Sequence, residues 1–135
     1  MESLETRLAA LVDELIFAGD WTDRYRLLVE WGESGESLPE VDRLREWDVP
    51  GCSSPLWLRA RWADGRLEVR GFSPGLLPQA LVAVVTRLFD GLSETSGSAA
   101  DLVDRLDLRR NLSPTRVLVL ERLFDRALNC PRGPA

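Results

Sequence analysis

Between Leu56 and Phe72 the apolar residues fall on alternate positions, and the alternation breaks once, at Asp64-Gly65. Leu56, Leu58, Ala60 and Trp62 share one parity and Trp57, Arg59 and Arg61 the other, and the return segment from Arg66 to about Phe72 puts Leu67 and Val69 on one face. A period of two marks a strand with one buried face, and Asp-Gly supplies the positive backbone angles of a tight hairpin turn. The segment about 55–72 is therefore expected to form an antiparallel hairpin. Two strands alone bury too little to be stable in water, so this one needs helices over its apolar face. The flanking segments have helical spacing, which makes the expected class α+β, a small antiparallel β-sheet packed with helices.

Leu4, Leu8, Leu11, Val12, Leu15 and Ile16 recur at helical intervals up to Ala18-Gly19. Trp21, Tyr25, Leu28 and Val29 repeat the pattern, with Asp20 or Thr22 as cap and Gly32 as the expected stop. Residues Glu33 to Ser37 read as loop, Pro39 to Trp47 as a weaker helical pattern through Val41 and Leu44, and Val49 to Pro55 as a turn-rich segment. After the hairpin, Leu76, Leu77, Ala80, Leu81, Val84, Val85, Leu88 and Phe89 form the broadest apolar stripe of the chain, so this helix is expected at the centre, ending at Gly91. Ser98 with Asp101 has the form of a capping box ahead of Leu102, Val103 and Leu106. Ser113-Pro114 gives the clearest helix start, an N-cap followed by proline at the first helical position, and Val117, Leu120, Phe124 and Leu128 continue its inner face.

The chain has 135 residues, the length of one domain, with residues 129–135 expected to fray as a tail. All 17 basic residues are arginine, and neither lysine nor histidine occurs. That removes Schiff-base lysine chemistry, imidazole-assisted nucleophiles and histidine metal ligands. A net charge of -5 with acids and arginines interspersed disfavours nucleic acid as a partner and favours protein. The opening Met1-Glu2-Ser3-Leu4-Glu5 carries acid where a targeting peptide carries base, and no apolar run approaches a membrane span. Two cysteines far apart in sequence fit a reducing compartment, and the expected location is cytoplasmic.

One of those cysteines, Cys52, sits in Val49-Pro50-Gly51-Cys52-Ser53-Ser54, where two turn formers lift it out of regular structure and into reach of a partner. An ordinary thiol is only a few per cent thiolate at neutral pH, so sulfur chemistry there needs a cationic neighbour or a completing partner. Arg116 is the candidate neighbour. It lies in the first turn of the last helix, where the helix dipole disfavours a cation, and so either holds an anion there or pairs with a surface acid. Spacing alone leaves a loop thiol without a role as an equal reading of Cys52. Cys130, beside Pro131-Arg132-Gly133, is expected to have none. Trp21, Tyr25 and Trp57 fit core faces, and Arg59, Arg61, Arg66 and Arg70 fit a solvated face of the hairpin.

The pieces Trp21, Arg24-Tyr25 and Leu28-Val29 ahead of Gly32, then Leu38-Pro39, then Val49-Pro50-Gly51-Cys52 followed by Ser54 and Trp57-Leu58, and finally Leu112-Ser113-Pro114-Thr115-Arg116 stand in one order and spacing. Together they resemble the SufE family, the SufE- and CsdE-like sulfur acceptors of iron-sulfur cluster biogenesis. The resemblance implies an α+β fold like that of the IscU scaffolds. It also implies that Cys52 accepts the terminal sulfur from the persulfide of a SufS-like or CsdA-like cysteine desulfurase, stimulates that enzyme, and passes the sulfur to a SufB-like scaffold. Pro50, Gly51, Ser53, Ser54 and Arg116 would then shape the site. Pyridoxal phosphate would belong to the desulfurase, leaving this chain without a cofactor or metal of its own.

The chain departs from the family at Ser53 and Pro55, where glutamines are usual, and at Pro74, Ala80, Leu118 and Val119. These departures keep a second reading open, a SufE-like binding module that regulates a desulfurase through its surface while the thiol is idle. A metal or cluster scaffold has too few ligands of the usual kind, and a thiol peroxidase or cysteine hydrolase lacks the imidazole.

Overall fold

The alternating segment folds as the hairpin its spacing predicts. In the computed structural model, which describes residues 2–133, strand β1 (Trp57–Ala63) pairs antiparallel with β2 (Arg66–Phe72). The register sets Trp57 opposite Phe72 and Ala63 opposite Arg66, and Asp64 and Gly65 turn with φ of 54° and 75°. Around it stand α1 (Leu4–Ala18), α2 (Trp21–Ser34), α3 (Leu76–Phe89), α4 (Ala99–Arg105) and α5 (Pro114–Leu128), giving an α+β fold.

Helix α3 is central, as its stripe implies: it packs against α2, β2, α5 and α1. Val84, Val85, Leu88 and Phe89 are fully buried there, and Phe89 meets Phe124 of α5 with ring centroids 6.0 Å apart. Leu76 is the exception to the stripe, 63% exposed at the first position of the helix. The expected caps at Asp20, Ser98 and Ser113 form, and Ser3 adds another. The side chains of Ser3, Asp20, Ser98 and Ser113 accept from the backbone N–H groups of Thr6, Asp23, Asp101 and Arg116, satisfying one orphan donor at the start of each helix.

Two expectations are corrected. Helix α2 does not stop at Gly32 but runs on to Ser34, and its closing residue is Gly35. Gly32 is instead a contact residue, because a Cβ there would lie 2.9 Å from the backbone nitrogen of Ala80 in α3. The segment Pro39–Trp47 forms no α-helix, only two 3-10 turns at Glu40–Asp42 and Arg45–Trp47. Val41 and Leu44 are 81% and 47% exposed, so no buried face holds a longer helix together. In the segment expected as a tail, Trp62 Nε1 donates to the Cys130 carbonyl at 3.0 Å and the Arg132 guanidinium lies 3.7 Å from the centre of the Trp62 ring. Residues 134 and 135 lie outside the described residues.

The arginines of the hairpin are not simply a solvated face either. Arg59 is buried between Asp42 and Glu68, and Arg70 bridges Glu36 and Asp90. They close the sheet onto the chain's own acids.

Gly32 gives a test in which two effects have opposite signs. Helix propensity alone would make Gly32→Ala stabilising by about 1 kcal/mol. Forcing a methyl against backbone that cannot swing aside costs roughly 1–3 kcal/mol or more. The steric effect is expected to win, with a net loss of about 1 kcal/mol by urea unfolding. A more stable variant would show that α2 and α3 are free to part.

Candidate functional site

The thiol sits on a short loop with a closed base. The Val49 N–H donates to the Leu56 carbonyl at 2.8 Å, and an isolated bridge joins Asp48 to Trp57. Val49 and Leu56 are themselves buried, so both ends of the loop are anchored in the core while residues 50–55 bulge away from it. Ser73 holds the far end, its buried hydroxyl donating to the Pro55 carbonyl at 2.7 Å and accepting from Gly75 N–H at 3.2 Å. At the turn, Gly51 has φ 96°, a left-handed conformation that a side chain rarely adopts.

Cys52 points inward from this loop and packs, half-buried, against the hydrophobic core. It shares a pocket of about 190 Å³ with Ser53, Ser113, Thr115, Arg116 and Val119. The structure thus brings Cys52 and Arg116 together from positions far apart in sequence. Arg116 makes no ion pair among the described residues, although acids outnumber arginines 22 to 17. The surface salt bridge that would otherwise account for it is not formed.

Helix α5 places Arg116 on the wall of the thiol pocket. Ser113 Oγ takes the Arg116 amide, Pro114 has no N–H to offer, and Thr115 on the pocket wall has no acceptor for its own among the described residues. A helix start with a free amide, a guanidinium and two hydroxyls suits an anion, whether a thiolate, a persulfide or a carboxylate.

The other residues expected here divide cleanly. Pro50 and Gly51 form the turn and Ser53 is on the pocket wall. Ser54 faces away from it and against Gly75, where a Cβ would come within 2.7 Å of its hydroxyl. Pro55, one of the departures from the family, offers only its carbonyl to Ser73. Val119, another, is buried on the pocket wall, whereas Leu118 is exposed.

Two further arginines of α5 belong to this region. Arg122 Nη1 donates to the Pro50 carbonyl at 2.8 Å. Arg126 donates to three carbonyls at the base of the loop, those of Trp47, Asp48 and Leu58, at 2.8–3.0 Å. Burial pushes the Arg126 pKa down, partly offset by the charge of Asp48. The sequence holds a signal for both: Thr115, Val119, Arg122 and Arg126 recur at intervals of four, three and four, which is one face of a helix. What sequence spacing does not show is that this face meets main-chain oxygens.

A second hollow, about 330 Å³, adjoins the first through Ser113 and Arg116 and is lined by Tyr25, Val29, Leu77, Asn111 and Leu112. A larger cleft of about 500 Å³ at Phe17 and Leu27 contains no nucleophile, so chemistry rather than volume picks out the thiol pocket. Cys130 lies apart from it, donating its Sγ–H to the Ala60 carbonyl at 3.2 Å, and burial pushes its pKa up. No group of three or more Cys, Asp or Glu side chains among the described residues is arranged to hold a metal ion. No helix among them is long and apolar enough to cross a membrane.

The structure is an α+β domain with a cysteine on a tethered loop beside a helix start, and residues 9–129 match the family described as "SufE: Fe-S metabolism associated domain". The chain belongs to the SufE family. It is 34% identical over 128 residues to an uncharacterized SufE-like protein of Rhizobium meliloti, covering 90% of this chain and 91% of the relative. A SufE-like protein of Rhizobium etli is 30% identical over 126 residues, covering 88% and 85%. Among solved structures, the solution structure of a hypothetical protein from Thermus thermophilus has the same fold, with a TM-score of 0.71 at 17% identity over 93% of this chain and 90% of that one.

Proposed function

We propose that this protein is a sulfur carrier that takes a persulfide sulfur onto Cys52 from a cysteine desulfurase, stimulates that enzyme, and releases the sulfur to an iron-sulfur cluster scaffold. The observation that carries the reading is the shared pocket of Cys52 and the unpaired Arg116 at the start of α5. Family membership ties the chain to iron-sulfur metabolism and supports a desulfurase as donor.

The transfer needs little from this chain. The Cys52 thiolate attacks the outer sulfur of the donor persulfide, a new S–S bond forms on Cys52, and the old one breaks. The donor cysteine leaves as a thiolate and takes up a proton, so the exchange involves no net oxidation. Rate then depends on access and on the thiolate fraction of the attacker. Arg116, Ser113 and Thr115 line the pocket in which the transferred sulfur would sit. The pyridoxal phosphate that releases sulfur from cysteine belongs to the desulfurase, and this chain acts in the cytoplasm without a cofactor.

The test is incubation with a SufS-like or CsdA-like desulfurase and cysteine, followed by mass spectrometry. One sulfur added to the peptide containing Cys52 is expected, and it should be lost on adding a SufB-like scaffold. Addition at Cys130 alone, or none, would overturn the reading. Full stimulation of the desulfurase by a Cys52→Ser variant would replace it with that of a binding module.

A further inference from the structure

We infer that Arg122 is a positioning residue, a latch that holds the Cys52 loop retracted over α5 and sets how often the thiol is presented. The inference rests on the sulfur-carrier reading for its purpose but not for its test.

The loop is held in two distinct ways. Its base is fixed by several bonds: Val49 to Leu56, Ser73 to Pro55, and Arg126 to Trp47, Asp48 and Leu58. Between Pro50 and Ser54, by contrast, a single hydrogen bond among the described residues reaches the loop from elsewhere, the one from Arg122 Nη1 to the Pro50 carbonyl at 2.8 Å. That bond is exposed, as is Arg122 itself, so water or a better acceptor can compete for it.

Position 51 is fitted to this contact. The guanidinium lies so close over Gly51 that a Cβ there would collide with Nη1. Glycine at 51 therefore serves both the left-handed turn and the seating of Arg122. Arg122 forms no ion pair among the described residues, so the carbonyl is its fixed partner.

The test uses the isolated protein first. In Arg122→Ala, amide exchange across residues 50–54 and the alkylation rate of Cys52 by iodoacetamide are both expected to rise about fivefold, the factor worth one net exposed hydrogen bond. Arg122→Lys, which keeps a donor of similar reach, should restore most of the protection. The pH midpoint of alkylation should stay where it is in the native chain, because the latch changes access and not the thiol. Unchanged exchange and alkylation in Arg122→Ala would overturn the proposal, and so would a rate change accompanied by a shifted midpoint, which would make Arg122 an electrostatic residue.

With a desulfurase present, Arg122→Ala should lower the KM for this protein as acceptor and leave the maximal rate alone, since a larger share of molecules is then competent to dock. A lower maximal rate would count against the latch. Should the isolated-protein measurements behave as expected while no sulfur ever reaches Cys52, the latch stands and the carrier reading falls.

Discussion

A Cys52→Ser variant is expected to take up no sulfur at all, while Cys130→Ser takes up as much as the native chain. The two thiols differ in what surrounds them rather than in kind. Cys52 opens to a pocket lined by Arg116, which makes no ion pair among the described residues, and by Thr115. Cys130 is tied to the Ala60 carbonyl, and burial pushes its pKa up, which removes thiolate at neutral pH. Serine at 52 keeps the size of the group but offers no sulfur for an S–S bond, so the loss should be complete and not graded. Sulfur uptake followed with labelled cysteine and a desulfurase checks both variants. The outcome that would sink the assignment is uptake that survives at position 52 and vanishes at position 130. Iodoacetamide at neutral pH should likewise modify Cys52 well before Cys130.

The second large effect is expected at Arg126, on stability and on the loop together. Its guanidinium satisfies three carbonyls that belong to two separate segments, the 3-10 turn ending at Trp47 with Asp48 and strand β1 at Leu58. Hydrogen bonds from a charged donor contribute roughly 1.5–3 kcal/mol each, but solvent reaches part of this cluster and replaces some of what is lost. Arg126→Ala should therefore cost about 3 kcal/mol in all, a fall in Tm of roughly 10 °C for a chain of this size. Arg126→Met, which keeps the apolar stem, should recover only the packing share. Calorimetry gives the stability, and amide exchange at residues 47–58 shows whether the base of the loop has opened. A variant as stable as the native chain, with exchange unchanged, would mean that the three bonds are incidental.

Much of the architecture can be read from local rules because local rules produce it. The alternation of residues 56–72 and the Asp64-Gly65 turn determine the hairpin, and Ser113-Pro114 starts α5 where capping chemistry requires. Cys52 and Arg116 stand out by chemistry, one as a thiol among turn formers and the other as a cation at a helix start, and the fold brings them to one pocket. What could not be read depends on neighbours distant in the chain. Gly32 reads as punctuation until Ala80 is seen against it. Arg122 and Arg126 do not stand out in the sequence because their acceptors are main-chain oxygens some seventy residues earlier. Arg59 reads as solvated because its two acids lie on another turn and on the facing strand.

The closed base of the thiol loop has a consequence for the chain as a whole. Val49 and Leu56 are bonded to each other, and each side of the loop has its own hold on the body, through Arg126 at Asp48 and Leu58 and through Ser73 at Pro55. A protease that cut between Gly51 and Ser54 would therefore not release a piece. The two fragments would stay together as a non-covalent pair, and the molecule would tolerate a nick within the thiol loop.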